Sequence, residues 1–150
     1  MEFNRTLEIS ASGLRAERLR LDVVASNLAN ANSTRKADGE GPYRRRSVIF
    51  QSAPLEFSFD QVLAASRHLS SLRAVEVSGI AEDQKPPRLV HDPGHPDADA
   101  EGYVAYPNVD VVSEMVDLMT ATRAYEANVQ AIRAMRAMGQ AAMRIGGSGG

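Results

Sequence analysis

The sequence predicts a mainly α fold in which two long helices, one near each end of the chain, flank a small β element. Residues 110–145 contain no proline, and their one glycine comes late, at Gly139. Residues 4–30 carry a leucine at every seventh position. The stretch between them alternates short β-type runs with loops rich in glycine and proline. Helical periodicity at both ends and short strands in the middle together define this fold class.

The C-terminal stretch is expected to form one helix of roughly 50 Å. Alanine, methionine, arginine and glutamate dominate it, and these residues lose little conformational freedom in a helix. Asp110 is the expected N-cap, and Gly146 and Gly147 are the expected stop. The apolar residues recur in steps of three and four, which is typical of a coiled-coil seam. The seam comprises Met115, Leu118, Thr122, Tyr125, Val129 and Ile132, and continues one step out of register through Met135, Met138, Ala142 and Ile145.

This seam is compatible with two interpretations. A core helix would bury it inside this chain, whereas an assembly helix would use it to bind copies of itself or of related chains. The length of the helix and its broad surface of alanine and methionine favour the assembly interpretation.

The N-terminal helix is expected over residues 4–30 and completes the predicted assembly seam. Its narrow apolar stripe consists of Leu7, Leu14, Leu21, Val24 and Leu28. Gly13 lies inside this helix, where glycine costs about 1 kcal/mol relative to alanine. It is either a tolerated weak point or a smooth patch that lets another backbone come close. The Asn- and Ser-rich run at 27–34 is expected to end the helix, because these side chains compete for backbone hydrogen bonds.

Four short strands are expected between the helices, over residues 43–50, 74–80, 88–91 and 103–106. Residues 51–72 fit either a loop or one short helix. Three consecutive arginines, Arg44 to Arg46, lie in the first strand. A strand directs them to both of its faces, so a solvated or interface strand is favoured over a nucleic-acid patch.

Composition argues against several classes of function. The net charge of −2 argues against a general nucleic-acid binder. The absence of cysteine excludes a disulfide framework, a thiolate metal site and a cysteine nucleophile. The N-terminus lacks the pattern of a secretory signal peptide, and no apolar run is long enough to cross a bilayer. These observations alone predict a cytoplasmic protein without direct membrane insertion.

One loop carries side chains that bind metals in other proteins. It holds His91, Asp92, His95, Asp97 and Asp99, and imidazole together with carboxylate suits Zn or Fe. Their spacing fits no established metal motif, and the intervening prolines and glycine favour a turn. No Gly-rich phosphate loop or nucleophile elbow occurs. We therefore expect no catalytic residue, metal or cofactor, and keep a metal-dependent enzyme only as an alternative.

Several stretches together resemble bacterial flagellar rod and hook proteins. Ser-Ala-Ser-Gly-Leu-Arg-Ala-Glu-Arg at 10–18 and Val-Ala-Ser-Asn-Leu-Ala-Asn at 24–30 are similar to the N-terminal signature of that family. Three further stretches and the His/Asp loop are similar to its proximal-rod branch: Gly-Pro-Tyr-Arg-Arg-Arg at 41–46, Tyr-Pro-Asn-Val-Asp-Val-Val-Ser-Glu-Met-Val-Asp-Leu-Met at 106–119, and Arg-Ala-Tyr-Glu-Ala-Asn-Val at 123–129. Residues 51–72 carry no such similarity.

The resemblance implies a fold and an assembly. The two terminal helices would pair as an antiparallel coiled-coil hairpin, with residues 1–34 and 107–146 forming a helical rod-core domain. Residues 35–106 would form the small β insert, and residues 147–150 a flexible tail. Copies would polymerise helically around a central channel and build the proximal rod, the drive shaft that spans the periplasm and serves motility.

The resemblance also implies partners and an export route. The partners are further copies of the chain, the rod proteins FlgB, FlgF and FlgG, the adaptor FliE and the flagellar type III export apparatus. Such export leaves the N-terminus uncleaved, and it replaces the cytoplasmic expectation with a periplasmic rod in the basal body. Phe3 and Leu7 are similar to the short hydrophobic export signal of early flagellar substrates, and they also fit the first turn of the N-terminal helix. Without the resemblance, the helices alone would fit a cytoplasmic coiled-coil adaptor.

Overall fold

The computed structural model describes residues 2–36, 39, 41–54 and 72–147, without the side chains of residues 2, 3, 146 and 147. The elements in chain order are α1 (Glu2–Ala29), β1 (Arg46–Pro54), β2 (Arg73–Glu82), β3 (Arg88–His91), β4 (Tyr103–Tyr106) and α2 (Val111–Gly147). The predicted mainly α class, with two long terminal helices and a small β element, is confirmed. Within the described residues, no helix is both long and apolar enough to cross a membrane.

The middle of the chain forms two antiparallel sheets of two strands each. In one, β1 pairs with β2; in the other, β3 pairs with β4, with Arg88 opposite Tyr106 and His91 opposite Tyr103. The expected loop or short helix over 51–72 is wrong at its start, because β1 continues to Pro54. The rest of that prediction, over 55–71, lies outside the described residues.

The start of α2 and the end of α1 each have a local cause. Asp110 caps α2 as predicted: its Oδ1 accepts the backbone N–H of Val112 at 3.0 Å, and its Oδ2 accepts the Ser113 hydroxyl at 2.8 Å. At the end of α1, the Asn30 side-chain amide donates to the backbone carbonyl of Ser26 at 2.9 Å. This side chain competes for a helix carbonyl as expected, and α1 ends at Ala29.

The chain divides into two compact units. The first comprises Met1–Arg18, Phe50–Ser78 and Thr122–Gly150, and the second comprises Leu19–Ile49 and Gly79–Ala121. In the second unit, contacts between the helices step backwards along α2 as they step forwards along α1: Arg20 reaches Asp117, and Asn27 reaches Glu114. The helices are therefore antiparallel there, as the resemblance implied.

The apolar side chains that are buried are small. Among the described residues they are Ala16, Val23, Val24, Ala31, Val104 and Ala121. Large apolar side chains along α2 are instead exposed to solvent. Burial of apolar area is the main favourable term in folding, and few large apolar side chains are buried here. Specific polar contacts between the helices must therefore contribute a large share of the stability of the helix pair.

Candidate helix-pairing site

Asn27 lies at the centre of a polar cluster in the second unit and is 0% exposed. Its Nδ2 donates to the backbone carbonyl of Arg46 at 2.8 Å and to Glu114 Oε2 at 2.9 Å. Its Oδ1 accepts the backbone N–H of Arg46 and the Tyr43 hydroxyl, each at 2.9 Å. All the hydrogen-bonding capacity of this amide is thus used. One side chain connects α1, the start of β1 and α2.

Glu114 is the second buried group, one turn into α2, and it is also 0% exposed. Its Oε1 accepts a 2.6 Å bond from Arg45 Nε. Arg45 Nη2 also reaches Asp117 Oδ2 at 3.4 Å, and Arg20 Nη2 reaches Asp117 Oδ1 at 3.3 Å. Positive and negative charges alternate, so the buried carboxylate is both paired and hydrogen-bonded. We call this cluster the polar clamp; it consists of Arg20, Asn27, Tyr43, Arg45, Glu114 and Asp117.

The start of α2 sets the position of Glu114. The Glu114 backbone N–H donates to the carbonyl of the N-cap Asp110 at 2.9 Å, which forms the first turn of the helix. A negative charge here also meets the positive end of the helix dipole. The hydroxyl of Ser113, followed by the backbone N–H of Val112, lowers the pKa of Asp110 below its usual value. The cap is therefore strongest when Asp110 is ionised.

In the first unit, Gly13 of α1 faces Asn128 of α2. A Cβ at residue 13 would lie 3.1 Å from Nδ2 and 3.2 Å from Oδ1 of Asn128. The Asn128 amide also donates to the carbonyl of Ala124 at 3.0 Å, which holds it over the glycine. Gly13 is therefore a position of close contact, but the group that comes close is the Asn128 side chain and not the backbone that the sequence suggested.

Ser12 connects α1 to β2 within the same unit. Its hydroxyl donates to the carbonyl of Ile9 at 2.7 Å and accepts the backbone N–H of Val75 at 3.1 Å. A strand in a two-stranded sheet has one edge without a partner strand, and unpaired edges invite aggregation. Ser12 satisfies one N–H of β2 in this way.

The loop with the histidines and aspartates is built from turn contacts. Asp99 Oδ1 accepts the backbone N–H groups of Glu101 and Tyr103, at 2.9 and 2.8 Å. Asp97 accepts the Thr34 hydroxyl at 2.7 Å and forms an ion pair with Arg35. The Thr34 hydrogen bond, followed by the positive charge of Arg35, lowers the pKa of Asp97. In the described part of the chain, no three His, Cys, Asp or Glu side chains form a group that could hold a metal ion.

Comparison with known proteins decides the family. Residues 7–35 match the family of flagella basal body rod proteins, and residues 100–145 match the flagellar basal body rod FlgEFG protein C-terminal family. The FlgC basal-body rod protein of Bacillus subtilis is 48% identical over 94% of this chain and 96% of the relative. The chain belongs to the FlgC family of flagellar basal-body rod proteins. The FlgC proteins of Escherichia coli O157:H7 (45% identity, 87% of this chain and 88% of the relative) and Borreliella burgdorferi (38% identity, 93% and 95%) are also similar.

As a member of the FlgC family, the chain is a structural subunit of the flagellar basal-body rod and not an enzyme. In each contact between the helices, one residue lies in the first family match and its partner lies in the second. The match over 7–35 includes Gly13 and Asn27, and the match over 100–145 includes Glu114 and Asn128. The contacts that hold the helix pair together thus lie in the regions that define the chain as a rod protein.

Most of the predicted assembly seam of this FlgC-family chain lies beside the face that pairs the helices. Val24 is buried, while the partly buried members are Leu7, Leu14, Leu21, Leu28, Leu118, Tyr125, Val129, Ile132 and Met135. Met115, Thr122 and Ala142 are exposed. The fully covered positions of α2 are Glu114 and Ala121, each one residue before a predicted seam residue. The heptad pattern marks the apolar stripe, whereas polar bonds select the face that meets α1.

Sequence reasoning missed the polar clamp. It predicts Asn27 as a residue that ends α1, but its amide makes tertiary contacts and Asn30 competes for the last carbonyls. It predicts Arg45 as part of a solvated or interface strand, whereas this side chain pairs with Glu114 ahead of β1. A usable signal was present, because every clamp residue except Arg20 lies in the motifs at 24–30, 41–46 and 106–119 that carried the family resemblance.

Proposed function

We propose that this chain polymerises helically, with itself and with other rod proteins, to form the proximal rod that spans the periplasm and encloses an export channel. The observation that carries this proposal is a row of exposed apolar side chains on α2 in the second unit. This exposed apolar face consists of Val112, Met115, Val116 and Met119, which are 70, 51, 52 and 56% exposed. Contiguous apolar patches on soluble proteins mark interaction sites.

The position of this face supports assembly rather than a missing part of the core. On the same helix, Glu114 and Ala121 are 0% exposed, so the side of α2 that meets α1 is already covered. The exposed apolar face is therefore a second face of one helix. A helix that is covered on one side and carries exposed apolar residues on the other is typical of one packed between two partners. The predicted seam residues Met115 and Thr122 lie on this uncovered side.

The partners proposed for this face are neighbouring copies and the related rod proteins FlgB, FlgF and FlgG, with the adaptor FliE at the base of the rod. The family resemblance supports this set. The rod-core domain is proposed as residues 1–34 and 107–146, the insert as residues 35–106 and a flexible tail as residues 147–150. The proposed route is the flagellar type III export apparatus, with Phe3 and Leu7 as the export signal and no cleavage of the N-terminus. The side chain of Phe3 lies outside the described residues, and Leu7 is partly buried in α1.

Replacement of Val116 by Asp tests the assembly face. Because Val116 is already half exposed, the new charge meets solvent in the monomer, and the free energy of unfolding should change by less than about 1 kcal/mol. In an assembled rod the same charge would be buried without a partner, which is costly. We expect Val116→Asp to abolish motility and recovery of the chain in basal bodies. Circular dichroism of the purified monomer should show unchanged helicity.

The matched control is Gln130→Asp, which adds a charge at an exposed polar position of α2. It should leave motility intact. Normal motility of Val116→Asp, at a normal level of the protein, would refute the proposed assembly face. Loss of motility in both variants would mean that α2 tolerates no added charge, and the face would then have no special role.

A further inference from the structure

The apolar stripe of α1 does not by itself define how the two helices align. Leu7, Leu14, Leu21 and Leu28 repeat at intervals of seven residues. A shift of one helix by one heptad moves it by about 10 Å along the axis and brings leucine to the place of leucine. The partly buried leucines therefore distinguish weakly between the native alignment and a shifted one.

The polar clamp has no such repeat. In the native alignment Asn27 contacts Glu114. A shift by seven residues in one direction would set Asn27 opposite Ala121, whose side chain forms no hydrogen bond. A shift in the other direction would set it opposite Pro107, before the start of α2. In either case the buried Asn27 amide and Glu114 carboxylate lose each other, and unpaired buried polar groups are strongly disfavoured.

We infer that the polar clamp is the device that fixes the alignment of α1 and α2, and that Asn27 and Glu114 are its positioning residues. In helical assemblies a single buried polar pair can specify register at some cost in stability. The clamp also includes Tyr43 and Arg45, which lead into β1. The alignment of the helices is thereby set relative to the beginning of the β insert as well.

A fixed alignment matters because of the proposed assembly, on which this part of the inference rests. Subunits that stack helically must all present the same surface. A population with helices shifted by a heptad would place the exposed apolar face at two different heights. The clamp selects one alignment in the monomer, so every subunit presents the same surface when it binds a neighbouring subunit.

The test measures alignment in the monomer, so it does not depend on rod assembly. The chain contains no cysteine, and two spin labels can be attached uniquely at Ala29→Cys and Thr120→Cys, whose axial separation changes for a shift by seven residues in either direction. Both positions are exposed and lie in the same unit, one on each helix. Double electron–electron resonance on the labelled chain with its clamp intact should give one distance.

The decisive variant replaces both positioning residues by apolar ones, Asn27→Leu with Glu114→Met. Arg45 then still reaches Asp117 and, at 29% side-chain exposure, solvent, so no buried charge is left unpaired. We expect helical circular dichroism to be retained and a second distance to appear, because the axial offset of the labels changes by about 10 Å. The control, Leu21→Ala with Leu118→Ala, removes apolar contacts and keeps the clamp; it should lower stability yet keep one distance.

Either of two results would overturn the inference. A single unshifted distance in the Asn27→Leu and Glu114→Met variant would mean that the apolar stripe sets the alignment alone. Loss of helicity in that variant would mean that the clamp supplies stability and not alignment. Failure of the Val116→Asp test, in contrast, would leave the distance measurement unaffected.

Discussion

Glu114 and Asp117 are two carboxylates of α2 that share Arg45 but differ in burial. Glu114 is fully buried, and its charge is balanced by Arg45, whereas Asp117 is 37% exposed and shares the same arginine. Removing one partner of a buried ion pair is costly, and removing one partner of an exposed pair is not. Burial, and not the number of ion pairs, should therefore rank these carboxylates.

We predict that Glu114→Ala lowers the free energy of unfolding by about 2 kcal/mol, because one N–H of the buried Asn27 amide loses its acceptor. Asp117→Ala should lower it by less than about 1 kcal/mol. Urea titration of the monomer, followed by circular dichroism, measures both values. Equal losses in the two variants would show that the buried Glu114 pair has no special weight.

Gly13 and Asn128 form a second contact between the two helices. Gly13→Ala would gain about 1 kcal/mol of helix propensity, but the new Cβ would lie within 3.3 Å of three Asn128 side-chain atoms. We predict no gain in stability from Gly13→Ala in the native chain, and a gain of about 1 kcal/mol when Asn128 is already alanine. A double-mutant cycle of thermal unfolding measures the coupling. The same gain in both backgrounds would rule out the contact.

At the scale of the element, the N-terminus of α2 should respond to pH. Ser113 and Val112 lower the pKa of Asp110, so the folded value lies below the usual value of about 3.9. The stabilising effect of a lowered carboxyl pKa is complete above the unfolded value and is lost as pH falls through the folded one. We predict that Asp110→Asn, which preserves the cap, makes stability less sensitive to pH below about 4. Unfolding curves measured from pH 6 to pH 2 would contradict this if both chains lost stability in parallel.

The elements themselves were largely predictable, because periodicity and capping are local. Asp110 as the N-cap of α2, the end of α1 near Asn30, and the strands at 88–91 and 103–106 are all present. The face by which each helix pairs was not predictable in the same way. A heptad pattern identifies apolar side chains only. Glu114 is a charged residue that is fully buried, and its partner Arg45 is distant in the sequence, so no local pattern indicates the contact.

At the scale of the whole molecule, the sequence identified the family better than it identified the contacts. The motifs at 24–30, 41–46 and 106–119 pointed to a rod protein, and their shared role became visible only when the fold brought Asn27, Tyr43 and Glu114 together. Apart from the buried Val24, the predicted assembly seam lies beside the pairing face, partly buried or exposed, and its function in the rod stays a prediction.

The measurement that tests the account most directly is photocrosslinking in basal bodies. Cells would incorporate a diazirine analogue of methionine, which reports on Met115 and Met119 without changing the shape of the exposed apolar face. After irradiation of purified basal bodies, peptide mass spectrometry should find these two residues joined to another rod subunit. The unassembled chain should show no such links. If Met115 and Met119 of the assembled chain form links only inside one subunit, then this face of α2 does not contact a neighbouring subunit, and the assembly proposal is wrong.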